Sequence, residues 1–148
     1  MRVGDPAPDF TLLDQDGRPF TLSQALQSKA VVLYFYPKDE TFGCTKEACH
    51  FRDAFVDFVD LGATVVGVSA DSPESHRQFI ANRKLPFTLL SDQDKAVHRK
   101  YGVGTGLLGI LKRRLTFVID AQGVIRGCFD STLDFKGHVT ASLNALSK

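Results

Sequence analysis

The apolar and polar positions of the chain predict two β-hairpins, one early and one late. Near the start, residues 10–13 and 19–22 are short apolar runs that flank a polar turn ending in Gly17. Late in the chain, residues 115–120 and 124–129 flank a second Gly-containing turn. Apolar runs of this length around such a turn are typical of antiparallel strand pairs.

Between the hairpins, the pattern predicts a β-α-β unit. Residues 30–36 are continuously apolar, as in a strand covered on both faces of a parallel sheet, and Pro37 ends the run. Residues 44–61 have helical periodicity, which Gly62 ends, and residues 64–69 return to strand composition. The predicted helix has an apolar stripe of Cys44, Ala48, Phe51, Phe55 and Phe58, and a polar face of Lys46, Glu47, Arg52, Asp53 and Asp57.

The rest of the pattern adds helices and one strand. Ser72 and Pro73 are suited to the N-cap and first position of a helix. The remaining predicted elements are that helix, running to about Arg83, a strand at 87–90, a short helix at 92–101 and a closing helix at 135–146. Crossovers early and a hairpin late predict an α/β sandwich with a mixed sheet.

The segment 103–112 has no clear periodicity, because glycines interrupt its apolar residues, Leu107, Leu108, Ile110 and Leu111. We interpret it as a loop folded onto the core. A mobile loop or a docking patch, with a weak dimer, is the alternative.

Composition narrows the class of protein. The 148 residues are the size of one domain, so we predict a single domain over 1–148. A formal net charge of +1 disfavours nucleic-acid binding driven by basicity. No apolar run approaches the roughly 20 residues of a membrane span, and the first residues lack the apolar core of a signal peptide. Three cysteines do not suit a disulfide-scaffolded fold, so we expect a soluble intracellular protein.

Cys44 is the first candidate for chemistry. It lies in the first turn of the predicted helix, where free backbone N–H groups and the helix dipole stabilise a thiolate. Its place on the apolar stripe turns the sulfur inward, toward a pocket. These features favour a nucleophile, and the alternative is a small buried hydrophobe, the commoner fate of a free cysteine.

Cys49, five residues later, lies about 140° round an ideal helix from Cys44. The two Cα atoms would then be roughly 8–9 Å apart, beyond the ~7 Å limit for a disulfide. A disulfide between them therefore requires the first turns of the helix to unwind. The alternative is a cysteine on another face with no role.

A metal site is a third possibility for these cysteines. Its ligands would be Cys44, Cys49 and His50, with His76, His98 or His138 as a fourth. Zinc sites prefer tighter C-x-x-C pairs, and a rigid helix splays these side chains, so we expect no metal.

The spacing Pro37-x-x-x-Thr41-x-x-Cys44 resembles the active-site signature of the peroxiredoxins, which are thiol-dependent peroxidases. The second cysteine five residues later resembles the bacterioferritin-comigratory or peroxiredoxin Q subfamily. The similarity covers nearly the whole chain in order, through residues 4–10, 43–45, 51–53, 68–72, 85–87, 90–92 and 114–120. It implies a thioredoxin-like fold, with a central mixed sheet flanked by helices and an extra N-terminal β-hairpin.

The resemblance implies a role for five residues. Cys44 would be the peroxidatic cysteine, whose thiolate attacks hydrogen peroxide or an organic hydroperoxide and becomes a sulfenic acid. Cys49 would be the resolving cysteine, which condenses with the sulfenic acid to an intramolecular disulfide. Thr41 would hydrogen-bond the thiolate and the peroxide, Pro37 would shield the sulfur from water, and Arg114 would face the thiolate.

The resemblance also implies the partners and the setting. A thioredoxin-type reductant, with glutaredoxin as the alternative, would restore the dithiol without a cofactor. We expect a monomeric, cytoplasmic antioxidant enzyme with no nucleic-acid or membrane partner. A general disulfide oxidoreductase is disfavoured because the chain has no C-x-x-C pair. The non-enzymatic alternative is a redox-sensing module. Such a module would be oxidised once by peroxide, whereas a peroxidase turns over repeatedly.

Some residues fall outside the family pattern. Phe42 stands where close relatives usually have proline. Cys128 is additional, and its place in the late hairpin predicts a core residue. The histidines are dispersed, and we expect them on the surface: His50, His76, His98 and His138.

Overall fold

The computed structural model describes residues 1–104 and 114–147, in which seven strands form one mixed sheet. The strands are β1 (Thr11–Asp14), β2 (Pro19–Thr21), β3 (Ala30–Phe35), β4 (Ala63–Ser69), β5 (Thr88–Ser91), β6 (Leu115–Ile119) and β7 (Ile125–Asp130). The helices are α1 (Leu22–Ala25), α2 (Phe42–Asp53), α3 (Phe55–Asp60), α4 (Pro73–Arg83), α5 (Ala96–Lys100) and α6 (Phe135–Leu146). The segment 105–113, which includes Leu107–Leu111 of the predicted loop, lies outside the described residues.

The strand order is β2-β1-β5-β4-β3-β6-β7. Strands β3, β4 and β5 are parallel neighbours, and the other neighbouring pairs are antiparallel. The predicted mixed sheet, with early crossovers and a late hairpin, is confirmed. Both predicted hairpins form, as β1–β2 and β6–β7.

The central strand β3 explains the continuous apolar run. Val31, Leu33 and Phe35 enter one core, while Val32 and Tyr34 enter the other, and all five are 0% exposed. A strand covered on both faces can use apolar residues at every position. The core on the Tyr34 side also holds buried residues of α2, α3, α4 and α6, and so it positions the cysteine-bearing helix.

The single helix predicted over 44–61 is wrong in its continuity. Helix α2 ends at Asp53, and α3 begins at Phe55 after Ala54, which has φ −98° and ψ 3°. Phe51 and Phe58 are both buried, so the apolar spacing continues across the break. Because the break has no glycine or proline, hydrophobic periodicity alone could not reveal it.

Two other boundaries differ from the prediction. The sequence pattern does not predict the short helix α1, which buries Leu22. Helix α5 begins at Ala96 and not at Asp92, because the buried Asp92 carboxylate accepts the backbone N–H groups of Val97 and His98 from outside the helix. The bounds of α4 and α6 match the sequence patterns, and Ser72 caps α4 as predicted.

The predicted exposure of several residues is wrong. Three of the four histidines are buried, and their burial is tolerated because each Nδ1 has a polar partner. The pairs are His76–Asp39, His98–Asp92 and His138–Thr116. His50 is half-buried. Cys128 is exposed because it lies on β7, the edge strand of the described sheet, which pairs with β6 on one side. Among the described helices, none is long and apolar enough to cross a membrane.

Candidate active site

Cys44 lies at the start of α2 and is almost completely buried, with 1% of its surface exposed. It is the third residue of the helix, after the N-cap Thr41, whose carbonyl accepts the Thr45 N–H at 2.8 Å. The first turn of a helix has backbone N–H groups without partners inside the helix, and they favour an anion. The sulfur therefore lies at the positive end of the helix, away from bulk water.

The Arg114 guanidinium lies against this sulfur. Its Nη2 donates to Cys44 Sγ at 3.5 Å, and its Nη1 donates to Glu47 Oε1 at 2.7 Å. The sheet explains the meeting, because β6 is antiparallel to β3 and Leu115 pairs with Phe35. This register places Arg114, just before β6, beside the end of β3, where the chain turns into α2. Cys44, Glu47 and Arg114 are all buried.

Glu47, which the sequence pattern assigns to the polar face of the helix, is 0% exposed. It follows Cys44 by three residues, so both side chains lie on the inner face of α2. Burial raises the pKa of the Glu47 carboxyl to about 7, and Arg114 opposes that rise through its charge and its hydrogen bond. Glu47 Oε2 is one of the buried atoms in the described residues without a hydrogen-bond partner.

His138 on α6 closes the other side of this cluster. Its Nδ1 lies 3.6 Å from Glu47 Oε2 and 2.7 Å from the Thr116 hydroxyl. Its Nε2 lies 2.8 Å from the Ser131 carbonyl, which can only accept, so Nε2 carries a proton. Burial lowers the pKa of His138, and the Arg114 charge adds to this effect. In the neutral ring, Nδ1 therefore accepts from the Thr116 hydroxyl.

Phe135, the first residue of α6, covers the outer side of Arg114. The Arg114 guanidinium carbon lies 5.0 Å from the centre of the Phe135 ring, a cation–π contact. Gly43 allows this packing, because a Cβ there would lie 2.9 Å from the ring and 3.2 Å from Arg114 Nη2. Glycine at 43 thus lets the helix start approach the arginine closely.

The loop before α2 carries the other two predicted residues, Pro37 and Thr41, and both are exposed. The Thr41 hydroxyl donates to the Lys38 carbonyl at 2.8 Å and so fixes the loop. Its predicted hydrogen bond to the thiolate, and the shielding by Pro37, stay predictions.

Cys49 lies in the same helix as Cys44, is half-buried and, like Cys44, carries a reduced thiol. Helix α2 is continuous from Phe42 to Asp53. A Cys44–Cys49 disulfide therefore requires α2 to unwind locally, as ideal helix geometry predicts.

The metal site considered for Cys44, Cys49 and His50 does not assemble in the described part of the chain. There, the one group of three such side chains with ligand atoms within 4.8 Å of one another is Asp39, Asp71 and His76. Hydroxyl, ring and backbone N–H groups already contact both carboxylate oxygens of Asp39 and the Oδ2 atom of Asp71.

Comparisons with known proteins agree with this geometry. The sequence matches the AhpC/TSA family over residues 3–128. It is 48% identical to the chloroplastic peroxiredoxin Q of Sedum lineare over 143 residues, covering 97% of this chain and 76% of that protein. It is 46% identical to that of Arabidopsis thaliana, covering 99% of this chain and 67% of the relative. The chain therefore belongs to the AhpC/TSA family, the peroxiredoxins, and is a thiol peroxidase that reduces hydroperoxides.

Solved structures define the subfamily and the fold. Peroxidoxin BcpB of Mycobacterium tuberculosis superposes with a TM-score of 0.91 at 41% identity, covering 99% of this chain and 97% of that one. Peroxiredoxin Q of Xanthomonas campestris gives 0.82 at 34% identity, covering 93% and 89%. Within the family, the chain belongs to the peroxiredoxin Q and bacterioferritin-comigratory subfamily, and the predicted thioredoxin-like fold is confirmed.

Sequence reasoning missed Glu47 and His138. A signal for Glu47 was present, because it comes three residues after Cys44 and four before Phe51, which is the spacing of the buried stripe. His138 similarly lies between Phe135 and Ser142 at spacings of three and four. Both residues were predicted to be exposed because their side chains are polar, although their positions match the buried spacing.

Proposed function

We propose that Cys44 is the peroxidatic cysteine of this enzyme. Its thiolate would attack the terminal oxygen of a hydroperoxide, so that an S–O bond forms while the O–O bond breaks. Cys44 becomes a sulfenic acid, and the departing oxygen takes up a proton and leaves as water or an alcohol. The observation that carries this proposal is the Arg114 guanidinium, 3.5 Å from the buried Cys44 sulfur at the start of α2.

Fixed donors around the sulfur would supply the catalysis. Breaking the O–O bond builds negative charge on the departing oxygen, and preorganised donors stabilise such charge in the transition state. Arg114 suits this role because it stays charged at any relevant pH. Glu47 would hold the guanidinium in place. Thr41 would bind the thiolate and the peroxide, and Pro37 would limit the access of water.

We further propose that Cys49 resolves the sulfenic acid. Its thiol would attack Cys44, with loss of water and formation of an intramolecular disulfide. The folded pocket suits the peroxide step, whereas the disulfide can form only where α2 has unwound. Oxidation would therefore shift the population toward the unwound form, because only that form accommodates the bond.

The substrates and partners follow from the subfamily. A bacterioferritin comigratory protein of Xanthomonas campestris, 34% identical to this chain, has alkyl peroxide reduction activity. We therefore propose organic hydroperoxides beside hydrogen peroxide as substrates here. We also propose a thioredoxin-type reductant, with glutaredoxin as the alternative, and a cytoplasmic monomer. Both cysteines lie in one helix of one chain, so the proposed disulfide needs no second subunit.

The test of the proposed function is a thiol map after one equivalent of hydrogen peroxide. In the wild type, we expect rapid loss of two thiols, mapped by mass spectrometry to a Cys44–Cys49 bridge. In Cys49→Ser, we expect Cys44 to stop at the sulfenic acid, while Cys128→Ser behaves as the wild type. A Cys44 thiol that survives minutes of exposure, or an intramolecular disulfide in Cys49→Ser, would contradict the proposal.

Amide hydrogen exchange tests the unwinding separately. We expect residues 44–50 to be protected in the reduced protein and to exchange much faster in the disulfide form, because that part of α2 loses its helical hydrogen bonds. The amides of α6, measured in the same samples, serve as the internal control. Equal protection of 44–50 in the two redox states would argue against unwinding.

A further inference from the structure

The loop between β3 and α2, residues 37–41, contains a buried carboxylate, Asp39, that the reaction above does not use. We call this segment the catalytic loop. Asp39 Oδ1 accepts the Tyr36 hydroxyl at 2.5 Å, and Oδ2 accepts the Ser75 hydroxyl at 2.8 Å. Asp39 Oδ2 also lies 2.7 Å from His76 Nδ1. Asp39 is 5% exposed and His76 0%, so these contacts are shielded from water.

A short, buried hydrogen bond joins Asp39 to His76. His76 Nε2 lies 2.9 Å from the Leu90 carbonyl, which can only accept, so Nε2 carries a proton. The short Nδ1–Oδ2 contact requires a second proton between the ring and the carboxyl group. Both Asp39 oxygens also accept hydroxyl groups, so several short contacts hold this side chain.

A second contact holds the next residue of the catalytic loop. Glu40 has φ 63°, in the left-handed region that residues other than glycine rarely adopt. Its carboxylate accepts Asn82 Nδ2 at 2.8 Å and Arg83 Nε at 3.2 Å. Asp39 therefore ties the loop to the first turn of α4, and Glu40 ties it to the last.

The backbone of Asp39 completes the attachment. Its N–H donates to Asp71 Oδ2 at 2.8 Å, and the same oxygen accepts the Ser69 hydroxyl at 2.7 Å. Three carboxylate oxygens of Asp39 and Asp71 thus accept hydrogen bonds that link the loop, β4 and α4. The Asp39–Asp71–His76 group therefore fixes the backbone of the catalytic loop.

We propose that Asp39 and His76 are positioning residues that hold the catalytic loop on α4 in the conformation that reacts with peroxide. The loop leads directly into the first turn of α2, where Cys44 lies, and that turn must unwind for the disulfide to form. A tie five residues before Cys44 therefore stabilises the folded pocket and opposes its unwinding. This inference rests on the proposed function of Cys44 and Cys49.

The proposal predicts opposite effects on the two half-reactions. In Asp39→Asn, an acceptor oxygen of the buried hydrogen bonds is lost while the side-chain shape is kept. We expect the rate constant for oxidation of Cys44 by peroxide to fall about tenfold or more, since small misplacements of a catalytic group have effects of this size. The rate constant for disulfide formation from the sulfenic acid should rise, because the unwound form becomes more populated.

The measurement is quenched-flow alkylation followed by mass spectrometry. The peroxide step is measured in the Cys49→Ser background, and the resolving step with both cysteines present under excess peroxide. The matched control is Asp92→Asn, which removes another buried Asp–His pair, with a 2.5 Å contact to His98 beside α5. We expect Asp92→Asn to leave both rate constants at the wild-type values, because the hydrogen bonds of the Asp92 carboxylate go to Val97 and His98 of α5.

Glu40→Gln is a second variant in case Asp39→Asn fails to fold. Because Glu40 is exposed, the fold should survive, and both rate constants should shift in the same directions by about twofold. A fall of both rate constants together in Asp39→Asn or Glu40→Gln, or equal behaviour of Asp39→Asn and Asp92→Asn, would overturn the proposal. The wild-type thiol map is read first, so a missing Cys44–Cys49 bridge would count against the proposed function and not against the loop attachment.

Discussion

Arg114→Lys should lower the second-order rate constant for peroxide reduction by about 100-fold, the effect of losing one transition-state donor. The planar guanidinium donates at once to Cys44 Sγ and to Glu47 Oε1. A lysine ammonium is a compact charge on a flexible stem and cannot reproduce this fixed double contact. It would also lose the stacking on Phe135. The positive charge remains in Arg114→Lys, so the fall in the rate constant would measure the orientation of the donor group more than its charge.

The measurement is the rate of Cys44 oxidation by hydrogen peroxide, followed by thiol alkylation. Arg126→Lys is the control, because Arg126 forms an exposed ion pair with Asp120 at the turn end of the β6–β7 hairpin, whereas Arg114 precedes its first strand. We expect Arg126→Lys to react at the wild-type rate. Absorbance of the thiolate in the far ultraviolet, compared between the two variants at neutral pH, separates a smaller thiolate population from a slower attack. Equal rate constants in Arg114→Lys and Arg126→Lys would exclude the proposed role.

The position of Arg114 illustrates what the sequence could predict. The spacing of Pro37, Thr41 and Cys44 carries the family resemblance, and with the helix that follows it identifies Cys44 as the candidate nucleophile. The approach of Arg114, which is 70 residues away in the chain, depends on the antiparallel pairing of β3 with β6. Local pattern contains no information on that pairing, and here the family resemblance supplied the residue.

Periodicity alone could not establish that polar residues such as Glu47 are buried. A charged side chain such as Glu47 is normally placed outside, because an unpaired buried charge is very costly. Glu47 becomes tolerable inside only when Arg114 and His138 approach from other elements. Likewise, Asp39 and His76 are each unfavourable in a core when taken alone. Sequence reasoning judged these residues singly, whereas the fold stabilises them in pairs.

Glu47→Gln should make the stability of the reduced protein less dependent on pH. The pKa of Glu47 is raised from 4.5 to about 7 in the fold, so the folded state favours the protonated carboxyl. This contribution to stability is fully present below about pH 4.5 and is lost as the pH rises through about 7. A shift of this size corresponds to roughly 3 kcal/mol in the free energy of unfolding. Glutamine keeps the shape and the acceptor for Arg114, but it has no proton to lose.

Urea unfolding of wild type and Glu47→Gln at pH 5 and pH 8, with all thiols reduced, measures this difference. Groups that titrate alike in both proteins cancel, so the remaining change belongs to Glu47 and the neighbours that face it: Arg114, Tyr34, Cys44 and His138. The exposed Glu74→Gln serves as the control and should match the wild type within about 0.5 kcal/mol. If Glu47→Gln loses as much stability as the wild type between pH 5 and pH 8, Glu47 is already ionised at pH 5. The Arg114 guanidinium would then face the Glu47 carboxylate throughout this range, and Glu47 would compete with the Cys44 thiolate for its charge.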